Sequence, residues 1–364
     1  MASLRERFAR PLDAWPETMF EAMAREVFHH QFDRNPVYAA YCRGRGRTPD
    51  SVRTWRDVPP VPATAFKRLE LYSGLPAVGA GPPEAVFETS GTTGGAQDRG
   101  RHSVASLELY REASVPWFGA NLVPENERLP MLALVPSPEA APASSLSRMM
   151  GFVVARWGAT GSTFLADPDT GVDHGRVGDA LETVAAAGRP ALLMGTAFAW
   201  AHWLDRAAAE GVEVALPPGS RLMETGGFKG RARAVPRDEL YAGLSAALGI
   251  PRERIVNEYG MTELLSQMYE SHLRTGDAPA PVHVAPPWLG IQVLDPETLE
   301  PRATGETGLL YFFDLANVSS VSAILTEDLG RLDDDGALRL EGRAPGSEPR
   351  GCSLAMEALL EARR

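Results

Sequence analysis

Cysteine, long apolar runs and positive charge are all scarce in this chain, and each shortage excludes a class of protein. Only Cys42 and Cys352 are cysteines among 364 residues, too few and too widely separated for a disulfide-stabilised scaffold. No apolar run is long enough to span a bilayer, since the best, 190–204, is short and contains His202. The net charge of −11 argues against a general binder of nucleic acid or of membrane surfaces.

The start of the chain also lacks the apolar region of a secretory signal. Its first residues, MASLRERFARP, contain no apolar h-region, so no secretory signal is indicated and we expect a cytoplasmic protein. The composition, 44% hydrophobic and 23% charged, is that of a globular protein with one large domain or two ordinary ones. Cys42 has the ordinary interpretation of a small, partly buried residue.

The most distinctive stretch is 86–95, in which a strand-like VFET leads into hydroxyls and glycines. These residues are Ser90, Gly91, Thr92, Thr93, Gly94 and Gly95. Such a run buries almost no side chain, but it turns tightly and directs backbone N–H groups and hydroxyls at an anion. A flexible linker is the alternative for an isolated run of this kind. Because the run lacks a terminal Gly-Lys-Ser/Thr, an ordinary P-loop ATPase or kinase is not indicated.

The apolar pattern predicts an α/β protein. Strands and helices alternate through the middle of the chain, as in a parallel sheet whose ligands collect at the carboxyl ends of its strands. The predicted helices cover 16–34, 103–118, 144–158, 177–187, 197–209 and 236–248, and the predicted strands lie in 131–138, 190–196, 221–225 and 255–256. Pro36 is expected to end the first helix.

Two segments break this alternation. Prolines 59, 60 and 62 predict that 58–74 form an extended strap on the surface. The last third predicts a small antiparallel β unit, in which 324–343 form a hairpin that turns at Asp334-Asp335-Gly336. One short amphipathic helix is expected at the end of the chain.

Two further polar loops follow predicted strands, GGFKG at 226–230 and NEYGMTE at 257–263. Together with TSGTTGG, TEDLGR and LEGR, their order resembles the adenylate-forming superfamily, enzymes that make acyl-AMP from a carboxylate and ATP. The resemblance covers roughly residues 60–352. It implies mostly parallel sheets flanked by helices, a small β unit and a truncated C-terminal tail. Its domains would be a helical cap (1–58), an adenylation core (59–290), a β subdomain (291–343) and a hinge and tail (344–364).

The resemblance also implies an ATP site with Mg²⁺. In it, the β- and γ-phosphates are wrapped by Ser90, Gly91, Thr92, Thr93, Gly94 and Gly95, the α-phosphate is held by Thr262, and Mg²⁺ is bound by Glu263. The adenine is bordered by Gly226, Gly227 and Phe228 and stacks on Tyr259, while Asp328 accepts from the ribose hydroxyls and Arg343 lies near the ribose and the hinge. The cofactor-binding motif is completed by Glu258, Gly260 and Met261. Taken alone, Asp328 has the alternative interpretation of a solvated turn residue.

At two points the sequence departs from the usual pattern of the superfamily, and these departures restrict which of its families the chain can resemble. The glycine loop continues with Ala96-Gln97 where the superfamily has Pro-Lys. Only 21 residues (344–364) follow Arg343, so we expect the usual C-terminal domain and its catalytic lysine to be absent. Lys229 and Lys67 are then the candidates for a cation near the α-phosphate, with a solvated surface charge as the alternative for Lys67.

The ending resembles the bacterial bioluminescence acyl-protein synthetases, the LuxE family. Residues 342–354 are GRAPGSEPRGCSL, and the spellings VPATAFKR and TGGFKG fit the same family. In that family the cysteine of RGCSL accepts the acyl group, which implies this role for Cys352. A thiolate is a strong nucleophile toward an acyl–phosphate anhydride, and Arg350 is placed to help hold it. A buried structural cysteine is the alternative.

The sequence therefore predicts an ATP-dependent acyl-protein synthetase. Its substrate would be a small carboxylic acid, most simply a fatty acid, and its acceptor a protein such as a fatty-acid reductase or a carrier protein. Two alternatives stay open: a ligase of the phenylacetate-CoA type that releases acyl-CoA, and a degenerate protein that binds acyl groups or nucleotides without catalysis. The identity of the acid and of the acceptor is left open by the sequence.

Overall fold

The computed structural model describes residue 8 and residues 12–76, 81–89, 99–226, 235–344 and 349–363. Its helices include α1 (Glu17–Arg34), α2 (Pro36–Gly44), α3 (Leu107–Leu122), α4 (Ser145–Trp157), α5 (His174–Ala187), α6 (Ala197–Glu210), α7 (Arg237–Leu248), α8 (His272–Thr275) and α9 (Arg350–Glu361). Within these ranges, no helix is both long and apolar enough to cross a membrane.

The strands alternate with these helices through the middle of the chain. They are β1 (Val61–Pro62), β2 (Ala85–Glu88), β3 (Arg101–Val104), β4 (Met131–Leu134), β5 (Thr163–Phe164), β6 (Ala166–Asp167), β7 (Gly171–Val172), β8 (Leu192–Thr196), β9 (Arg221–Thr225), β10 (Ile255–Tyr259), β11 (Met268–Tyr269), β12 (Leu289–Leu294), β13 (Gly308–Asp314), β14 (Ala323–Leu332) and β15 (Leu338–Arg343).

Residue contacts divide the chain into two compact units. Unit 1 comprises Met1–Ala113, Met261–Ser266 and Pro281–Arg364, and unit 2 comprises Ser114–Gly260 and Gln267–Ala280. The four-part division of the sequence into 1–58, 59–290, 291–343 and 344–364 separates segments by residue pattern and not by contacts, so it stays a prediction.

Unit 1 is built on a five-stranded sheet with the order β1-β14-β13-β12, and β15 pairs with the second half of β14. Every pair is antiparallel except β1 with β14. β13 is buried along its whole length, which explains its unbroken apolar run. Trp55 packs on this strand, its ring centroid 5.5 Å from that of Tyr311. The antiparallel β unit predicted for the last third of the chain is confirmed.

The predicted hairpin of 324–343 is also confirmed. β14 and β15 pair antiparallel, and the turn closes with Gly336 N donating to Asp333 O at 2.9 Å. The φ of Gly336 is +79°, a left-handed conformation that glycine adopts without a Cβ clash.

Segment 58–74 differs from its prediction. Val61 and Pro62 form β1, which pairs in parallel with Ile324 and Leu325, and Val61 is fully buried. A 3₁₀-helical turn, Ala63–Lys67, follows directly. The expectation of a surface strap was wrong because proline removes a donor only at its own position, and an edge strand such as β1 tolerates that loss.

Two helix boundaries also differ. Arg101–Val104 form β3 against β2, so the helix predicted from 103 begins only at Leu107. Pro36, predicted to end α1, also starts α2, a helix that the prediction missed. Proline is tolerated at the first position of a helix, and the Asn35 side chain caps α2 by accepting from Tyr38 N at 3.0 Å.

Unit 2 is the predicted α/β sheet, with six strands in the order β11-β10-β9-β8-β4-β5. All pairs are parallel except β10 with β11. Trp200 and Trp203 of α6 and Leu244 of α7 belong to the buried core on this sheet. Hydroxyl side chains start two of the helices: Ser144 caps α4 and Thr196 caps α6. Because the strands are parallel, β8, β9 and β10 end at one edge of the sheet.

Candidate functional site

Three residues that the sequence selected lie on or beside β14 in unit 1. Asp328 belongs to β14 and lies opposite Arg343 of β15 in the strand register. Cys352 is in the first turn of α9, and its Sγ donates to the carbonyl of Thr326 at 3.7 Å. Thr326 Oγ1 in turn accepts from Asp328 N at 3.1 Å. The proposed acyl acceptor on α9 therefore contacts β14 at Thr326, two residues along the strand from the proposed ribose ligand Asp328.

The two cysteines of the chain are both buried, Cys352 with 1% of its surface exposed and Cys42 with none. Burial raises the pKa of the Cys42 thiol to about 12. Since the thiolate is the nucleophile, Cys42 is unreactive at neutral pH, as expected for a structural cysteine.

Glycine precedes Cys352 because α9 begins in close contact with the loop after β12. Gly351 N donates to Pro296 O at 2.9 Å. A Cβ at this position would lie 2.6 Å from Leu299 Cδ2 and 2.9 Å from Pro296 O, too close for either atom. The Arg-Gly-Cys sequence therefore fits the docking of α9, and Gly351 fixes where Cys352 lies.

The second half of the EYGMTE motif also belongs to unit 1. Met261 and Thr262 are half-buried, and Glu263 is buried. The carbonyl of Thr262 accepts from His102 Nδ1 at 2.8 Å, and the carbonyl of Glu263 accepts from Asn317 Nδ2 at 2.7 Å. Burial lowers the pKa of His102 to about 4, so the imidazole is neutral at pH 7.

Sequence reasoning missed His102 and Asn317, together with Asp314, which accepts from the N–H groups of Leu265 and Ser266. A signal for Asp314 was present, because an acidic residue directly after the apolar run of β13 must find buried donors. Nothing in the sequence indicated which donors these are, since they lie about 50 residues away in the chain.

The first half of the motif lies at the carboxyl end of β10 in unit 2. Glu258 is buried and accepts a hydrogen bond from Thr225 Oγ1 at the end of β9. Tyr259 is the last residue of β10 and is half-buried. A Cβ on Gly260 would lie too close to Glu258 Oε1, so a larger residue there would displace the Glu258 carboxylate. Gly226 follows β9 with a φ of +76°, which also suits glycine.

A buried polar cluster lies just behind these strand ends, around Glu224 of β9 and Asn257 of β10. Tyr241 donates to Glu224 Oε1 at 2.6 Å, and Asn257 Nδ2 donates to the same oxygen. Burial raises the pKa of Glu224 to about 7, against the opposing effect of its hydrogen bonds. The nearby Glu270 carboxylate forms an ion pair with Arg237. Sequence reasoning did not select this cluster, whose members look like ordinary helix and strand residues.

Lys67 ends the 3₁₀-helical turn Ala63–Lys67 and is exposed. The remaining predicted residues lie outside the described ranges, and their roles stay predictions. They are Ser90, Gly91, Thr92, Thr93, Gly94, Gly95, Gly227, Phe228 and Lys229.

The donor set is compatible with Mg²⁺ that binds largely through a nucleotide. Among the described residues there is no group of three or more His, Cys, Asp or Glu side chains able to hold a metal ion by themselves. Mg²⁺ bound to a nucleotide needs only one or two protein carboxylates, because phosphate oxygens and waters complete its shell. Glu263, the residue predicted to bind Mg²⁺, would supply one such carboxylate.

Solved structures share this fold. ATP-bound MatB from Rhodopseudomonas palustris matches with a TM-score of 0.50 at 16% identity, over 74% of this chain and 50% of that protein, so the chain spans half its length. A 2-hydroxyisobutyryl-CoA ligase in complex with 2-HIB-AMP matches with a TM-score of 0.65 at 16% identity, over 90% and 67%. The fold is that of the adenylate-forming ligases.

The family follows from sequence. A family model described as acyl-protein synthetase, LuxE, matches residues 9–361. This chain belongs to the LuxE family of acyl-protein synthetases and is therefore an enzyme of the ligase class. A long-chain-fatty-acid–luciferin-component ligase of Aliivibrio fischeri is 23% identical over 359 residues, 94% of this chain and 88% of that protein. Its counterpart from Vibrio harveyi is 30% identical over 89 residues, 21% of this chain and 22% of that protein.

Proposed function

We propose that this protein activates a long-chain fatty acid with ATP, transfers the acyl group to Cys352, and passes it to an acceptor protein. The observation that carries the proposal is the family match, which runs from residue 9 to residue 361 and so includes Cys352. The Aliivibrio fischeri relative is named as a ligase of a long-chain fatty acid, which favours that class of acid here.

The first step would form acyl-AMP. A carboxylate oxygen of the acid attacks the α-phosphorus of ATP, a new P–O bond forms, and pyrophosphate leaves. The chain's own contribution is positioning and electrostatic stabilisation: Thr262 would hold the α-phosphate, Asp328 the ribose hydroxyls, and Lys229 or Lys67 would supply positive charge. Mg²⁺ at Glu263 would neutralise charge on the phosphates.

The second step would form a thioester. The Cys352 thiolate attacks the acyl carbonyl, the bond to phosphate breaks, and AMP leaves with the electron pair. Cys352 is 1% exposed, so the thiol must leave its contact with Thr326 O before it can reach any substrate. The thioester would then transfer its acyl group to the acceptor, for which a fatty-acid reductase or a carrier protein has suitable chemistry. We place this reaction in the cytoplasm.

ATP–pyrophosphate exchange tests the adenylation step. We expect exchange with wild-type protein, Mg²⁺ and saturated fatty acids of long chain length, and little with short or aromatic acids. Addition of coenzyme A should release no acyl-CoA. Acyl-CoA release with turnover would instead identify a CoA ligase, and the absence of exchange with every acid tested would support a degenerate binding protein.

A further inference from the structure

A short segment of unit 1, residues 262–266, begins with the proposed phosphate and Mg²⁺ ligands Thr262 and Glu263, and its backbone is held by buried polar side chains. His102, Asp314 and Asn317 hold it, and all three have none of their surface exposed. They come from two distant parts of the chain: His102 is on β3, Asp314 ends β13, and Asn317 is in the 3₁₀-helical turn directly after it.

His102 holds the start of the segment. A carbonyl oxygen only accepts hydrogen bonds, so the contact of 2.8 Å places the proton on Nδ1, which donates to Thr262 O. The other ring nitrogen, Nε2, is buried and has no hydrogen-bond partner within the described ranges. The polar role of this imidazole is therefore confined to Thr262.

Asn317 and Asp314 hold the rest. Asn317 donates from Nδ2 to Glu263 O at 2.7 Å and accepts at Oδ1 from Leu265 N at 3.1 Å. Asp314 Oδ2 accepts from Leu265 N at 2.9 Å and from Ser266 N at 3.0 Å, and Oδ1 accepts from Ser266 Oγ at 2.7 Å. The amide thus contacts the segment through its donor and its acceptor, and the carboxylate contacts it through both oxygens. Outside the segment, Asp314 Oδ1 also accepts from Ala316 N and Asn317 Nδ2 also donates to Val321 O.

Such contacts specify a conformation as well as stability. A buried donor or acceptor that loses its partner costs about 1–3 kcal/mol, so the segment has one strongly favoured path. Ligands that bind phosphate and metal must be placed to within about 0.5 Å, and outer partners of metal ligands typically affect affinity by about 10- to 100-fold.

We propose that His102, Asp314 and Asn317 are positioning residues that set the backbone path of Thr262 and Glu263 for the magnesium nucleotide. The proposal rests on the nucleotide-binding role proposed above for those two residues. None of the three positioning side chains needs to touch the substrate, because each acts through the backbone that carries a ligand.

The sharpest variant is Asn317→Asp. It keeps an acceptor for Leu265 N but replaces the donor with a carboxylate oxygen that repels Glu263 O. We expect Mn²⁺ binding in the presence of a non-hydrolysable ATP analogue, measured by electron paramagnetic resonance, to weaken about 10- to 100-fold. Tyr311→Phe is the matched control, since it removes a buried hydrogen bond to Trp55 O from the strand before Asn317 without touching the segment.

Two variants of His102, one conservative and one not, test the positioning role of its hydrogen bond to Thr262 O. His102→Asn places an amide donor near the position of Nδ1 and should bind Mn²⁺ and nucleotide nearly as wild type does. His102→Leu has no donor and should bind more weakly. Equal losses in both variants would contradict the assigned hydrogen bond, and this pair carries the test if Asn317→Asp does not fold.

Hydrogen exchange of the nucleotide-free protein separates this proposal from the proposed function. In Asp314→Asn the side chain keeps only one acceptor oxygen in place of two, so it binds the backbone N–H groups of Leu265 and Ser266 less well. The hydrogens of these two backbone amides should therefore exchange faster. If wild type binds no nucleotide but exchange behaves as expected, the proposed function fails while the positioning contacts stand. If wild type binds Mn²⁺ with nucleotide and Asn317→Asp binds it equally well, the positioning proposal is overturned.

Discussion

Replacement of Glu224 by Gln should make unit 2 less sensitive to pH. Glu224 has 2% of its surface exposed, and burial raises its pKa from the ordinary 4.5 to about 7. The fold thus favours the protonated carboxyl. The free energy of unfolding should be highest below pH 4.5 and fall as the pH rises through about 7. Gln keeps the oxygen that accepts from Tyr241 and Asn257, and it cannot ionise.

The size of the change in the free energy of unfolding follows from the shift in the pKa of Glu224. Each pKa unit corresponds to about 1.4 kcal/mol, so ionised Glu224 destabilises the fold by about 3 kcal/mol at alkaline pH. Between about pH 5 and about pH 8, the stability of Glu224→Gln relative to wild type should therefore improve by about 2.5 kcal/mol. Any cost of the new amide group is the same at both pH values and cancels from this difference.

Urea denaturation followed by tryptophan fluorescence measures this difference, because Trp200 and Trp203 lie in the core of unit 2. Glu239→Gln is the matched control, since Glu239 is an exposed glutamate on α7 with no burial to relieve. Its stability should run parallel to that of wild type. Parallel curves for wild type and Glu224→Gln would refute the reasoning and show that the buried carboxyl does not titrate near neutrality.

Three further outcomes are expected. Glu263→Gln should slow ATP–pyrophosphate exchange by orders of magnitude, because loss of a metal ligand at a phosphate site removes several kcal/mol of charge stabilisation; wild-type exchange would remove Glu263 from the mechanism. Lys229→Met should lose ATP–pyrophosphate exchange but still bind ATP in a calorimetric titration, and Lys67→Met should lose less of the exchange activity. A larger loss of exchange in Lys67→Met than in Lys229→Met would make Lys67 the catalytic cation. Gly351→Ala should loosen α9, because the added Cβ meets Leu299 and Pro296 O, and this should speed Cys352 labelling by a thiol reagent; an unchanged labelling rate would contradict the docking role of Gly351.

The sequence predicted the parts of the fold that depend on local pattern. Alternation of apolar strands and helices specified the sheet of unit 2, and Asp334-Asp335-Gly336 specified the hairpin turn. Pairing between distant segments was not predictable in the same way. Val61 joins β14 more than 250 residues later, and no local signal distinguishes that strand from an exposed extended segment.

The residues of the candidate site also fall into two groups, those that a local sequence motif predicted and those that only contacts between distant segments reveal. Cys352, Asp328 and Glu263 were selected because their motifs have a recognisable spelling and order. His102, Asp314 and Asn317 have no such spelling, and their contacts depend on how three separate stretches pack. Satisfaction of buried polar groups is a property of the folded molecule, so only the structure could identify these partners.

The proposed role of Cys352 as the carrier of the acyl group can be tested by mass spectrometry of the protein after incubation with ATP, Mg²⁺ and a long-chain fatty acid. We expect one acyl adduct on the peptide that contains Cys352, removable by hydroxylamine as a thioester, and retained in a Cys42→Ser control. Cys352→Ser should keep pyrophosphate exchange and lose the adduct, since a serine hydroxyl without an adjacent base is a far weaker nucleophile. Full acyl labelling of Cys352→Ser, or an adduct on Cys42, would contradict the claim.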